Sequence, residues 1–281
     1  MTRQIHSIQT KEATLSPRAA IAWSLAGWLY LSLGFIFLFL PILTLVLFSF
    51  EDTRFPSLPW TGWTLKWYQE LLTDGGLLKA LKNSLIVSPL AAAAATVLGF
   101  LTAYALHRFQ FPGKNLLSIL FTVPILVPPL ILGVAFLGLL SRLNLQGQLL
   151  SIFLTHVVIL IPAAIAIITL RLAQIPDNIE AAAWNLGATE WQTLWRVILP
   201  WTLPGIAGAW LLAFTFSFDE FVIAWFVGGF EQTLPVSIYN FIGTNLSPAL
   251  NAIGAIVFMI SVLMLVGAEL LLIPLFVRRK S

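Results

Sequence analysis

The chain has 281 residues, 59% of them hydrophobic and 10% charged, with a mean hydropathy of +0.92. A soluble domain carries about 45–50% apolar and about 25% charged residues. This composition therefore excludes a water-soluble enzyme, a disordered chain and a nucleic-acid binder. There is no cysteine, which removes disulfides, thiolate metal sites and a cysteine nucleophile. His6, His107 and His156 are too scattered for a metal-ligand spacing, so no metal is expected.

A helix that crosses a bilayer needs about 20 mostly apolar residues. In chain order, six segments qualify: 23–48, 84–106, 116–140, 149–170, 205–227 and 252–276. A polar tail, 1–22, precedes them, and a short tail, 277–281, follows. The first apolar run is far longer than the roughly 7–15 residues of a signal-peptide core, which predicts an uncleaved anchor. The link from Glu51 to Lys82 reads as a loop plus an interfacial helix, with Trp60, Trp63, Trp67 and Tyr68 at headgroup depth. His107 to Asn115 is a short basic link, and Ser141 to Gln148 a tight turn. Residues 171–204 form the longest polar link between two spans, and 228–251 a mixed loop with Pro235 and Pro248. No internal repeat or linker divides the chain, so 23–276 is expected to be one all-α membrane domain.

The net charge of +3 rests on 15 Lys and Arg, and their placement sets the topology. With six spans, both termini share a side with Arg3, Lys11, Arg18, Arg108, Lys114, Arg171, Arg196, Arg278, Arg279 and Lys280. Arg54, Lys66, Lys79, Lys82 and Arg142 fall opposite. The positive-inside rule then predicts cytoplasmic termini and a cytoplasmic link 171–204.

Proline recurs in the spans, at Pro41, Pro89, Pro124, Pro128, Pro129 and Pro162. An interior proline deletes a backbone hydrogen bond and kinks the helix, and in lipid the freed carbonyl needs a protein or water partner. Pro124, Pro128 and Pro129 in one span predict a broken or bent third helix lining a cavity.

The link between spans four and five reads as a helix, a glycine break and a second helix. Asp177 can cap the first helix with Glu180 as its capping-box partner. Ala181, Ala182 and Ala183 favour helix and leave a small, smooth face. Gly187 stands where a left-handed residue ends a helix, and Thr189 with Gln192 reads as a second capping box. Leu199-Pro200 is expected to end the second helix. One reading is a well-capped surface helix pair. The other is a docking knob whose alanine face fits a groove on a partner.

This stretch resembles the EAA loop of ABC-importer permeases, whose pattern is Glu-Ala-Ala, three residues, Gly, nine residues, Ile, one residue, Leu-Pro. Around Gly187, Ala182-Ala183 and Leu199-Pro200 match, and Val197 takes the Ile place. The family glutamate would fall at Ala181, and Glu180 stands one residue early. Four further stretches, at 61–68, 80–85, 217–222 and 234–239, resemble the second permease subunit of the spermidine/putrescine branch. The resemblance spans roughly 25–275. It implies a type I ABC-importer permease fold with both termini cytoplasmic, paired with a homologous permease. Two cytoplasmic ATPases would bind through 177–200, an extracytoplasmic binding protein would deliver substrate, and ATP and Mg would sit in the ATPases. The chain itself lacks GxxxxGK[ST] and so cradles no nucleotide. It is expected to be a transport subunit and not an enzyme.

Asp219 and Glu220 lie inside the expected fifth span, where a carboxylate costs a few kcal/mol and is a functional candidate by default. Phe216, Phe221 and Trp225 surround them in sequence. Carboxylate with aromatic faces suits an organic cation, and the resemblance implies a polyamine. The alternatives are a structural pair near a helix end, or cargo of another kind: another organic cation, an iron complex, a phosphonate or a sulfate-like anion. Adjacent helix residues diverge by about 100°, so the two carboxylates are not expected to converge. His156 has no partner visible in the sequence. An intramembrane enzyme would need such convergence, and a channel or secondary transporter would need no ATPase.

Overall fold

The computed structural model describes residues 17–53, 59–176, 178–244 and 249–277. In chain order the helices are α1 (Pro17–Phe48), α2 (Lys66–Thr73), α3 (Gly75–Arg108), α4 (Lys114–Leu126), α5 (Pro129–Arg142) and α6 (Leu149–Leu172). After them come α7 (Asn178–Asn185), α8 (Glu190–Thr193), α9 (Leu199–Asp219), α10 (Val222–Val227), α11 (Leu234–Thr244) and α12 (Ala249–Val277). Among the described residues, four segments are long and apolar enough to cross a membrane: Trp23–Phe48, Gly75–Arg108, Leu149–Leu172 and Glu190–Asp219. The bent pair α4 and α5 makes a fifth if it counts as one span.

Three expected spans are redrawn. The second starts at Gly75 and not near Ser84, because the Asp74 side chain accepts from the Gly76 and Leu77 amides at 2.8 and 3.0 Å and caps α3. The third has the expected break and is two helices meeting at 107°. The break falls at Val127-Pro128, with Pro129 opening α5 and Pro124 inside α4. The fifth ends at Asp219, and a separate short helix follows. Two smaller expectations also change. Leu199-Pro200 does not end a helix: a π-helical turn, Leu194–Ile198, carries α8 directly into α9. In its wider i→i+5 pairing the Leu199 amide bonds Leu194 O, and Pro200 falls in the first turn of α9. The link 228–251 contains the helix α11.

The bundle is built around α3. Its inner stripe of Ala91, Ala92, Ala95, Gly99 and Ala103 is small, which lets α6 and α9 approach closely. A Cβ placed on Gly99 would lie 2.7 Å from Ala164 Cβ and 3.2 Å from the Ile165 backbone nitrogen. At the other end, Trp67 and Leu71 of α2 pack with Leu77, Phe218 and Ile253. The Trp67 indole donates to Glu51 O at 2.8 Å, which pins α2 beneath the aromatic loop. Most large side chains of α1 face outward, for example Trp28 and Phe37, as befits a helix presented to lipid or a second subunit.

The loop after α10 is latched to the first turns of α3. Lys79 Nζ lies 2.8 Å from Glu231 Oε1, and Asn83 donates to Glu231 Oε2 and Gln232 O at 3.2 and 3.0 Å. Ser84 Oγ accepts the Leu234 amide at 2.8 Å. The hydrogen bond from Lys79 holds the Glu231 carboxyl below the usual carboxylate range, against a small opposing effect of desolvation and with help from Asn83.

Two expected outcomes follow from this packing. Gly99→Leu forces α3 off α6 and costs about 1–3 kcal/mol, read as a fall in Tm of the detergent-purified protein. Gly208→Ala has open space around it and should hold or raise Tm by relieving about 0.5–1 kcal/mol of helix-glycine cost. For the latch, a folded-state pKa below the unfolded one means stability that is present above the ordinary carboxylate range. That stability is lost as pH falls through the depressed value. Glu231→Gln should flatten this acid limb in a Tm-against-pH series.

Candidate functional site: a carboxylate between two cavities

The chain breaks regular helix at Glu220-Phe221. Such a break leaves the first amides of α10 without intrahelical partners. The Glu220 carboxylate accepts both, from Ile223 N at 2.9 Å to Oε1 and from Ala224 N at 2.9 Å to Oε2. His156, fully buried in α6, turns Nε2 to within 3.5 Å of Glu220 Oε2, and its Nδ1 lies 2.7 Å from Ser217 Oγ. His156 is thus a core histidine with one hydrogen-bond partner, Ser217, and a longer approach to Glu220, neither of which can be read from residues so far apart in the chain. Ser217 is 2% exposed, and neither it nor His156 lines either cavity described below. The cluster ties α6 to the helix break, and only its Glu220 reaches a cavity.

Asp219 is placed differently. It is exposed, and among the described residues it makes no hydrogen bond or ion pair. It lines two cavities. One, of about 490 Å³, is walled by Phe218, Phe221, Pro235, Ile238 and Tyr239 and carries Thr215 and Ser261 hydroxyls. The other, of about 290 Å³, runs between Pro124, Pro129, Leu132, Leu160 and Phe216, with Glu220 at its edge. The larger falls within the size range of small-molecule sites, about 300–1,000 Å³. Neither lining contains Lys, Arg or His.

Of the aromatic candidates, Phe221 and Phe216 join Asp219, one in each cavity. Trp225 lies outside both linings and packs edge-on against Phe226, ring centroids 5.1 Å apart. Pro124 and Pro129 reach the smaller cavity, and Pro128 is the residue before α5. Tyr239, whose ring stands 4.9 Å from that of Phe221, was missed as a site residue. Its segment read as loop, although Leu234-Pro235 followed by an apolar stretch is a helix-start signal.

The loop 171–204 presents a second surface. On α7, Ala181 and Ala182 are exposed and Ala183 half-buried. Asp177 and its expected cap lie outside the described residues. Gly187 takes φ +84°. Its amide bonds Trp184 O at 2.8 Å and the Ala188 amide bonds Ala183 O at 3.0 Å, the paired bonds of a left-handed helix stop. The Thr189–Gln192 capping box forms as expected. Leu199 is half-buried and Pro200 exposed. Glu180 Oε2 lies 2.6 Å from Arg108 Nε, and the same guanidinium stacks 4.7 Å from the Trp184 ring centroid.

The two carboxylates should separate in experiment. Glu220→Ala strands two backbone amides at about 1–3 kcal/mol each and should lower Tm clearly. Asp219→Ala should leave Tm within the roughly ±0.5 kcal/mol typical of an unpartnered exposed residue.

Residues 95–274 match the family described as binding-protein-dependent transport system inner membrane component. The chain is 33% identical over 238 residues to the spermidine/putrescine transport system permease protein PotC of Escherichia coli K12, covering 84% of this chain and 90% of that one. It is 36% identical over 235 residues to the putrescine transport system permease protein PotI of the same strain, covering 81% and 83%. Among solved structures, a bacterial ABC transporter involved in import of the acidic polysaccharide alginate aligns at TM-score 0.72 and 17% identity, covering 89% and 95%. At that identity the alignment speaks to the fold alone. With its helical bundle, its apolar spans and this match over most of its length, the chain belongs to the family of binding-protein-dependent transport system inner membrane components.

Proposed function

We propose that the chain is one half of the membrane pathway of an ATP-driven importer of polyamines in the bacterial cytoplasmic membrane. It crosses that membrane six times within 23–276. The tails 1–22 and 277–281 and the loop 171–204 are cytoplasmic, since ten of the fifteen basic residues fall on that side. A homologous permease completes the pathway, and an extracytoplasmic binding protein hands over the cargo. Two ATPase subunits serve the permease pair and hold the ATP and Mg, and one docks on this chain's loop through Glu180, Ala181, Ala182, Ala183, Gly187, Leu199 and Pro200. The dependence on a binding protein is in the family's own description, and the polyamine cargo is supported by the relatives' names.

One observation carries the cargo reading: Asp219, exposed and unpaired, at the shared wall of two cavities that hold aromatic rings and no basic side chain. An anion importer would want cationic side chains there. An ammonium group gains an ion pair with Asp219 and cation–π attraction from Phe221, Tyr239 and Phe216. Glu220 contributes by holding Asp219 in place. Pro124, Pro128 and Pro129 form the bend that opens the smaller cavity, and Trp225 faces the surrounding lipid or the second permease.

Two variants test the two surfaces. Gly187→Val puts a β-branched residue at φ +84°, which such residues avoid. It should lose ATPase copurification while the chain still reaches the membrane. Asp219→Asn should raise the half-saturating spermidine concentration about tenfold, the scale of one charge-assisted hydrogen bond. Normal ATPase capture in the first variant sinks the docking surface. An unchanged uptake curve in the second sinks the cargo site.

A further inference from the structure

Arg108 is the last residue of α3, and its guanidinium is gripped from two sides by α7. Glu180 and Trp184 stand one helical turn apart, so that both reach the same point. The carboxylate meets Nε at 2.6 Å and the indole face lies 4.7 Å from the guanidinium carbon. The pair is largely shielded, with side chains 30% and 16% exposed. No residue of α7 is buried. A cavity of about 260 Å³, lined by His107, Leu172, Ile175 and Pro176, lies beneath it. Arg108 bridges that gap, where solid packing would leave none.

The opposite end of α3 is tied as well. Lys79, Asn83 and Ser84 hold the segment 231–234, which leads into Leu234 and Pro235 of the larger cavity. At 34 residues, α3 runs about 51 Å as one continuous helix with Pro89 inside it. It is fixed at one end to α7 and at the other to the wall beside Asp219.

We propose that Arg108 is the joint that carries movement of α7 into α3, and through α3 to the outer latch at 231–234. Arg108 is a positioning residue: it touches neither cargo nor nucleotide and acts through Glu180 and Trp184. The flat guanidinium serves this joint because it can pair edge-on with a carboxylate and stack on a ring at once, which an ammonium cannot do. This inference rests on the reading of α7 as the ATPase-docking helix. It also gives the early glutamate a part within its own chain.

The chain has no native cysteine, so nitroxides can be placed at Leu78→Cys and Leu143→Cys without background. Pulsed electron resonance on the full transporter, with and without ATP plus vanadate, reads the distance between the outer end of α3 and the α5–α6 turn. The nucleotide should shift that distance in the parent. Arg108→Ala and Arg108→Glu should lose the shift while the ATPases still copurify. Arg108→Lys keeps the charge but cannot pair and stack at once, and should recover the shift only in part. If Arg108→Ala does not reach the membrane, Arg108→Lys against Arg108→Glu decides. A shift that persists in Arg108→Ala or Arg108→Glu, that is no larger in Arg108→Lys than in Arg108→Glu, or that is absent from the parent overturns the joint. Loss of ATPase capture in the Arg108 variants overturns it too, by making the residue part of docking. Failure of docking itself is read separately, from capture in Gly187→Val.

Discussion

Inside a bilayer no water is available to satisfy a free backbone group, so each interruption of a helix must be answered by protein atoms. The break at Glu220-Phe221 meets this demand with one side chain, which accepts two amides at once. His156 and Ser217 stand behind that carboxylate and fix it to α6. Everything at the cavities depends on this arrangement. With Glu220 committed to the backbone, its neighbour Asp219 is left exposed at the end of α9, where the two cavities meet. The pair is a division of labour: one carboxylate holds the helix break, and the other lines the cavities.

The break works only because the helices around it are firmly placed. The small stripe of α3 seats α6 and α9 at close range, and the contact at Gly99 leaves no room for a methyl group. Close packing of this kind takes over from the hydrophobic effect, which cannot drive helices together in lipid. Helix α3 then links two ends of the bundle. Its first turns hold the segment leading to the larger cavity, and its last residue holds α7.

Much of this was legible in the sequence where it depends on local chemistry. The turn at Gly187 and the Thr189–Gln192 box need only a few neighbouring residues, and both formed as read. Span 149–170 lies almost wholly within α6, since unbroken apolar length fixes a buried helix. The bend at Pro128 was signalled by three prolines in one span. What stayed hidden is long-range or polar at a helix end. Lys79 and Lys82 suggested a loop, yet α3 continues past them because Asp74 caps it farther out. The apolar run 205–227 concealed a break, since the compensating bonds come from Glu220 itself and its support from distant His156. The partner of Glu180, Arg108, is likewise far away in the chain and could not be read from the flanking alanines.

The central claim is that Asp219 and its aromatic neighbours make this a path for organic cations. The most direct test is competition in vesicles holding the full transporter, its ATPases and its binding protein, with labelled spermidine as the probe. The account predicts ATP-dependent accumulation of spermidine that excess putrescine suppresses and excess sulfate leaves untouched. Absence of spermidine accumulation, or suppression by sulfate and not by putrescine, would contradict it.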